Sequence, residues 1–258
     1  MNEQILPIPA FQDNYLWLMV DGRGHAAIVD PGDAAPVQAF LQAHQLQLSA
    51  ILVTHHHADH IGGVATLQQA TGATVYAPKD IALPHVDVVC QHGDSITVLG
   101  QTLDVLAVPA HTLDHIAYTG HVFGMPRLFC GDTLFSCGCG RLFEGTARQL
   151  YAALQLFSDL DDDTLVYCAH EYTTANIRFA LQVEPDNPAL KEYQQHVSAL
   201  RTKNTPSLPS TIGLEKQVNP FMRCHLDNIQ ETVRTHADKQ LDSEISVLAA
   251  LRTWKDTA

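Results

Sequence analysis

The sequence predicts an α/β body followed by a helical C-terminal domain, and three observations carry that prediction. Short apolar runs of strand length, punctuated by turn residues, dominate the first part of the chain. Stretches with apolar residues at spacings of three and four are set among them, the pattern of amphipathic helices. Beyond His170 the strand-like runs stop and helical patterns follow one another to the end. The expected division is residues 1–170 and residues 171–258.

The strand-like runs are, in order, YLWLMV, HAAIVD with the turn PGD behind it, AILVTH, ATVYAP, ITVLG, LDVLAV, HIAYTG, RLFCGD and TLVYCAH. Between some of them PVQAFLQAHQ, GVATLQQATG and TARQLYAALQLFSDL read as helices, the last with Gly145 and Thr146 as its cap. After His170 come TANIRFALQVE, PALKEYQQHVSALRTKN, LDNIQETVRTH and SEISVLAALRTWK, with a Pro-rich connector around TPSLPS. The sequence has no internal repeat and no low-complexity segment.

At 258 residues, with 46% hydrophobic and 17% charged positions, the chain has enough apolar material to bury a substantial core. The run YLWLMV is far short of the roughly 20 residues that a membrane span requires, so no membrane partner is expected. The opening MNEQILPIPAFQDN lacks the basic start and apolar core of a secretory signal, and a cytoplasmic protein is expected. Cysteines 90, 130, 137, 139, 168 and 224 lie mostly in apolar runs, where buried free thiols belong, and no disulfide framework is expected. A formal charge of −13 repels phosphate backbones and excludes general nucleic-acid binding unless basic residues gather on one face. A monomer is expected.

The fifteen histidines are the compositional oddity, and THHHADHIGG, residues 54 to 63, concentrates them at the end of an apolar run. Consecutive histidines alone suit a solvated loop. This cluster, however, carries Asp59 among its imidazoles and leads through Gly62 and Gly63 into a helix. Extended residues two apart face one side, so His55 and His57 aim at one point, while Asp59 and His60, past the turn, aim at another. Imidazole and carboxylate suit zinc, iron or manganese, and four such groups cannot complete two coordination shells. Further ligands are expected at other strand ends, where the sequence offers His111 after LAVPA, Asp132 after LFCG and His170 after LVYCA. A core histidine or an N-cap explains each singly; three together, each ending an apolar run, are harder to explain that way.

THHHADH, PAHT, FCGDTLF and CAHEY, in this order, resemble the metallo-β-lactamase superfamily. IPAFQDNYLW, VDPGD, CGCGRLFEGT and the C-terminal NPFMR resemble one branch of it, the hydroxyacylglutathione hydrolases called glyoxalase II. The resemblance implies a four-layer αβ/βα sandwich with a metal pair at one edge, then a helical substrate-binding domain. It implies two divalent ions per chain, zinc first, with iron and manganese as alternatives. His55, His57 and His111 would hold one ion, Asp59, His60 and His170 the other, and Asp132 would bridge them. It further implies a glutathione pocket of Arg141, Phe143, Tyr172, Arg252 and Lys255. Relatives typically have glycine at the positions of Ala110 and Asp114, and tyrosine at that of Phe143. His56 is expected to point away from the metals. His115 is open between an orienter of a metal-bound histidine and a strand opener, Asp114 is read as a turn residue, and Asp30, Glu144 and Glu171 as loop-holding residues.

The activity implied is hydrolysis of S-(2-hydroxyacyl)glutathione thioesters, typically S-lactoylglutathione, the second step of methylglyoxal detoxification. Paired metals lower the pKa of a shared water from 15.7 towards about 7, and the resulting hydroxide, held by Asp59 and Asp132, would attack the thioester carbonyl. No side-chain nucleophile is then needed, and the sequence has no G-x-S-x-G elbow. Cys137 and Cys139 are read as part of the substrate loop. Glutathione is anionic, so an acidic protein must offer local cations, for which Arg141, Arg252 and Lys255 serve. Two alternatives stand beside this reading: a mononuclear-iron persulfide dioxygenase of the same superfamily, and a non-enzymatic binding protein on the same fold.

Overall fold

The computed structural model describes residues 1–79 and 81–258. The chain divides by proximity into two compact units, Met1–Val108 with Asp114–Gly131, and Pro109–Leu113 with Asp132–Ala258.

The first unit begins with β1 (Glu3–Ala10), β2 (Asn14–Asp21), β3 (His25–Val29), α1 (Ala34–His44) and β4 (Gln47–Leu52). It continues with α2 (Ala58–Ile61), α3 (Val64–Thr71), β5 (Thr74–Pro78) and β6 (Val88–Cys90). Strands β7 (Ser95–Val98), β8 (Gln101–Ala107), β9 (Ile116–Val122) and β10 (Met125–Gly131) complete it. β1 to β6 form one sheet in sequence order, antiparallel through β3 and parallel from β3 to β6. β2 is buried at all eight positions, which explains why NYLWLMVD reads as a continuous apolar run rather than an alternating one. β1 contains Pro7 and Pro9, which suit an edge strand and which hide it from a search for regular strand patterns.

Val37 and Leu41 of α1 and Val64 and Leu67 of α3 are buried with Ile28, Ile51 and Val75 of the sheet, so one stripe of each helix covers one sheet face. Asp33 caps α1 by accepting from the Ala35 N–H at 2.9 Å. The second set of strands runs β10-β9-β8-β7, antiparallel throughout. Tyr118 of β9 is fully buried, and its hydroxyl donates to the Val53 carbonyl at 2.8 Å, just beyond β4.

Parallel pairing of β3 and β4, with Val29 opposite Leu52, brings Asp30 and Thr54 out of the sheet side by side. The turn PGD then runs against the start of α2. A Cβ on Gly32 would sit 1.8 Å from the Asp59 carbonyl oxygen, so only glycine permits that approach.

The second unit holds β11 (Leu134–Phe135), β12 (Gly138–Cys139), α4 (Ala147–Ser158), β13 (Leu165–Cys168), α5 (Thr173–Val183) and α6 (Pro188–Thr202). It ends with β14 (Ser210–Thr211), α7 (Ile212–Val218), a 3-10 turn at Pro220–Met222, α8 (Asp227–Ala237) and α9 (Glu244–Thr257). Thr146 and Gln149 form a reciprocal capping box at α4, Asn187 caps α6 ahead of Pro188, and Ser243 caps α9. α4 packs on α7 and α9, which is why proximity draws its boundary elsewhere than the change in sequence texture at residue 170.

A buried carboxylate organises this unit. Glu215 accepts from Ser136 Oγ at 2.9 Å, from the Cys137 N–H at 2.8 Å, from Asn219 Nδ2 at 3.0 Å and from Ser210 Oγ. Asn219 also donates to the carbonyls of Phe135 and Gly138, so the two residues hold the hairpin β11–β12 from below. Burial raises the Glu215 pKa despite these donors. All six cysteines are buried free thiols, as expected. Among the described residues no helix is long and apolar enough to cross a membrane.

Candidate metal centre

In the first unit the ligand loop is built on the paired ends of β3 and β4. Asp30 accepts from the Thr54 N–H and from Thr54 Oγ1, both at 2.7 Å. The Thr54 hydroxyl has one hydrogen and gives it to Asp30, so at the 3.0 Å contact with His55 Nδ1 it accepts. His55 therefore carries its proton on Nδ1, which leaves Nε2 as the atom that could ligate a metal. His60 reaches the same carboxylate directly, Nδ1 to Asp30 Oδ2 at 3.0 Å, and the same argument leaves its Nε2 for ligation. One carboxylate thus sets the tautomers of two of the expected ligands. Asp30, expected to hold a loop, holds it through the ligand rings, and Asp30, His55 and His60 offer atoms within 4.8 Å of one another.

The rings of His57 and His60 pack against His55, at centroid distances of 4.8 and 4.1 Å. Asp59 is held by Asn14 Nδ2 at 3.1 Å, and its Oδ2 lies 3.5 Å from His60 Nε2. Buried His115 stacks on His55 at 4.5 Å and 15°, which places it against a ligand ring. Gly131, at φ +48°, lies against this group: a Cβ there would come within 2.4 Å of Thr54 Oγ1. His56 pairs with Asp114 at 2.9 Å, so Asp114, expected to be only a turn residue, is the partner of the odd histidine in the triplet.

In the second unit His111, Asp132 and His170 come together. His111 Nδ1 lies 2.7 Å from the Arg141 carbonyl, which can only accept, so Nε2 is again the atom that could ligate a metal. Asp132 Oδ2 lies 3.4 Å from His111 Nε2, and Oδ1 lies 3.3 Å from His170 Nε2. Two ligands of one tetrahedral ion, bound at about 2.0–2.1 Å, stand about 3.3–3.4 Å apart. The donors therefore fit a divalent ion, and Asp132 offers Oδ2 towards His111 and Oδ1 towards His170. Tyr172 stacks on His170 at 4.7 Å and 4°, and Phe135 packs edge-on against both.

The expected pocket residues all lie in this unit. Phe143 is 60% exposed and meets the His111 ring edge-to-face at 5.2 Å. Arg141 is exposed and pairs with Asp256 at 3.0 Å. Lys255 lies 5.1 Å from the centroid of the Phe179 ring; burial, and then the charge of Arg252, lower its pKa. Arg252 differs from the others in being buried, with Nη1 donating to the Cys139 carbonyl at 2.8 Å and Nη2 to Asp256 at 3.1 Å. Its contacts anchor the β12 hairpin. Cys139 accordingly belongs to this loop, and burial raises its pKa even beside Arg252, which argues against a reactive thiolate. Glu144 accepts from the Leu113 N–H and Glu171 from the Ser207 N–H, each at 2.8 Å, in the loop-holding roles expected.

Asn14, Thr54, Phe135 and Asp256 were not singled out from the sequence. Thr54 carried a signal, as the residue between an apolar run and the histidines. Asp256 carried another, four positions after Arg252 on a helix.

Residues 12–170 match the family model of the metallo-β-lactamase superfamily, and residues 171–258 match that of the hydroxyacylglutathione hydrolase C-terminus. The two matches meet where the sequence texture changes. A hydroxyacylglutathione hydrolase of Pseudomonas putida is 50% identical over 256 residues, 98% of this chain and 99% of its own. Another from Photobacterium profundum is 47% identical over 251 residues, 96% and 97% of the two chains. Among solved structures, ETHE1 from Myxococcus xanthus has a TM-score of 0.65 at 26% identity, covering 100% of this chain and 99% of its own. The BLEG-1 B3 metallo-β-lactamase has a TM-score of 0.63 at 23% identity, covering 85% and 98%. The fold expected from the sequence is the fold of these structures.

Proposed function

This chain belongs to the hydroxyacylglutathione hydrolase family of the metallo-β-lactamase superfamily, and on that premise we propose that it hydrolyses S-(2-hydroxyacyl)glutathione thioesters, typically S-lactoylglutathione. The products are a 2-hydroxy acid and glutathione, the second step of methylglyoxal detoxification. The supporting observation is that Asp132 turns one oxygen to each of two histidines, His111 and His170.

His55, His57 and His111 would hold one divalent ion and Asp59, His60 and His170 a second, with Asp132 available to both. Zinc is the ion proposed for both positions, with iron or manganese acceptable to the same donors. Bound there, a pair of such ions supplies a hydroxide at neutral pH and a counter-charge for the carbonyl oxygen. Asp59 and Asp132 would accept hydrogen bonds from the water before it loses its proton, and so turn a lone pair of its oxygen towards the thioester carbon. Asp30 keeps His55 and His60 in their ligating tautomers throughout. Arg141 and Lys255 attract the carboxylates of glutathione, Phe143 and Tyr172 flank it, and Arg252 holds the loop on which Arg141 sits. Residues 1–170 act as the catalytic domain and residues 171–258 as the substrate-binding domain of a cytoplasmic monomer without nucleic-acid or membrane partners.

Metal analysis and a thioester assay on one preparation test this reading. Two equivalents of metal, with lactoylglutathione hydrolysis that Asp132→Ala removes, are expected. An intact thioester, together with an Asp132→Ala variant indistinguishable from its parent, defeats the reading. One iron per chain and oxygen uptake with glutathione persulfide would assign the dioxygenase chemistry instead.

A further inference from the structure

Arg141, assigned to a carboxylate of the substrate, is tied to buried Arg252 by a residue outside the pocket set. Asp256, in the last turn of α9, accepts with a single oxygen, Oδ1, from Arg141 Nε at 3.0 Å and from Arg252 Nη2 at 3.1 Å. Arg252 is already fixed from two other directions. Its Nη1 donates to the Cys139 carbonyl, and its guanidinium lies 5.2 Å from the Phe221 ring centroid, with the side chain only 8% exposed. A buried arginine held at three points makes Asp256 a fixed post. Arg141 is the opposite case, a side chain 55% exposed and 115 residues away in sequence.

The contact to Arg141 is made through Nε, the inner nitrogen of the guanidinium. A bond at Nε fixes the plane of the group and leaves the outer edge, with its two Nη groups, to meet a carboxylate in the two-pronged geometry that arginine favours. We propose that Asp256 is a positioning residue for substrate binding, holding Arg141 so that its outer edge presents to a carboxylate of the glutathione moiety. This rests on the thioesterase reading. The negative charge of Asp256 also opposes an anionic ligand, but solvent screens that effect at a partly exposed site, whereas an untethered arginine must lose its rotational freedom on every binding event.

The test uses the full-length, metal-loaded protein and two lactoyl thioesters, that of glutathione and that of N-acetylcysteamine, which has no glutathione carboxylates. Asp256→Ala is expected to raise KM for lactoylglutathione about three- to tenfold with kcat within about twofold. The inhibition constant of free glutathione rises by the same factor, and kcat/KM for the short thioester does not move. Asp256→Asn, which keeps an oxygen for the Arg141 Nε–H, restores most of the lost affinity. An unchanged or lower KM for Asp256→Ala, or an equal loss on both thioesters, overturns the proposal. If the unsubstituted protein hydrolyses the short thioester but not lactoylglutathione, the glutathione reading itself falls and this inference with it.

Discussion

The two units hold the side chains proposed as metal ligands by different means. In the first, the ligands are neighbours in one short loop, and a carboxylate 30 residues away from His60 braces them, Asp30 acting on His60 directly and on His55 through Thr54. In the second, the ligands end three separate segments, and their rings are set by a backbone carbonyl at His111 and by the stacked Tyr172 ring at His170. Adjacent residues share one stretch of backbone, so crowding several ligands there needs an outside brace. Ligands on separate segments take their positions from the elements that carry them, and only the rotation of each ring remains to be set.

The contrast can be broken at its strongest point first. Asp132→Ala removes the carboxylate that faces both His111 and His170, a loss of several kcal/mol of charge stabilisation, and is expected to lower kcat on the order of a thousandfold and to reduce bound metal. Steady-state kinetics with metal analysis check it. Asp30→Ala attacks the brace instead, and metal affinity measured by chelator competition should fall about 10- to 100-fold, because His60 loses its hydrogen-bond partner while Thr54, released from Asp30, no longer fixes the tautomer of His55. Thr54→Ala should cost less than Asp30→Ala, since His60 keeps its own bond. Equal losses for the two variants would show that Asp30 acts only through Thr54.

Lys255 offers a gentler probe of the second unit. Burial and Arg252 lower its pKa below the usual 10.5, so it gives up its charge at a lower pH than an ordinary lysine. KM for an anionic glutathione thioester should therefore rise with pH before 10.5 is reached, and Lys255→Arg, whose cation does not titrate in that range, should remove the rise. A pH profile of KM that is identical in the two proteins would remove Lys255 from the binding set. The smallest effect concerns the helix that follows the GRLFEGT loop. Thr146→Ala takes away half of the α4 capping box and should cost about 1 kcal/mol of stability in denaturant titrations, with little change in kcat.

Much of the centre was legible because chemistry and local pattern coincide in it. Histidine and aspartate at the ends of apolar runs mark metal-compatible side chains from residue type and strand position alone, and Thr146, with Gln149 three residues on, marks the start of α4. β1 was not legible, because Pro7 and Pro9 blur its pattern and only pairing with β2 reveals it as a strand. β11, β12 and β14 are two residues each, too short for any periodicity. The split into units differs from the change in texture because α4 packs with helices far along the chain.

From residue order alone came the strand and helix spacing, the set of metal-compatible side chains and the thiol state of the cysteines, all of which follow from period, burial preference and donor chemistry within a few positions. Only the folded chain decided that Asp30 sets two tautomers, that Asp114 meets His56, that Glu215 is buried beneath a hairpin and that Asp256 joins two arginines. These are contacts between residues far apart in sequence. No local rule can supply them, because the partner is chosen by strand register and helix packing, not by spacing along the chain.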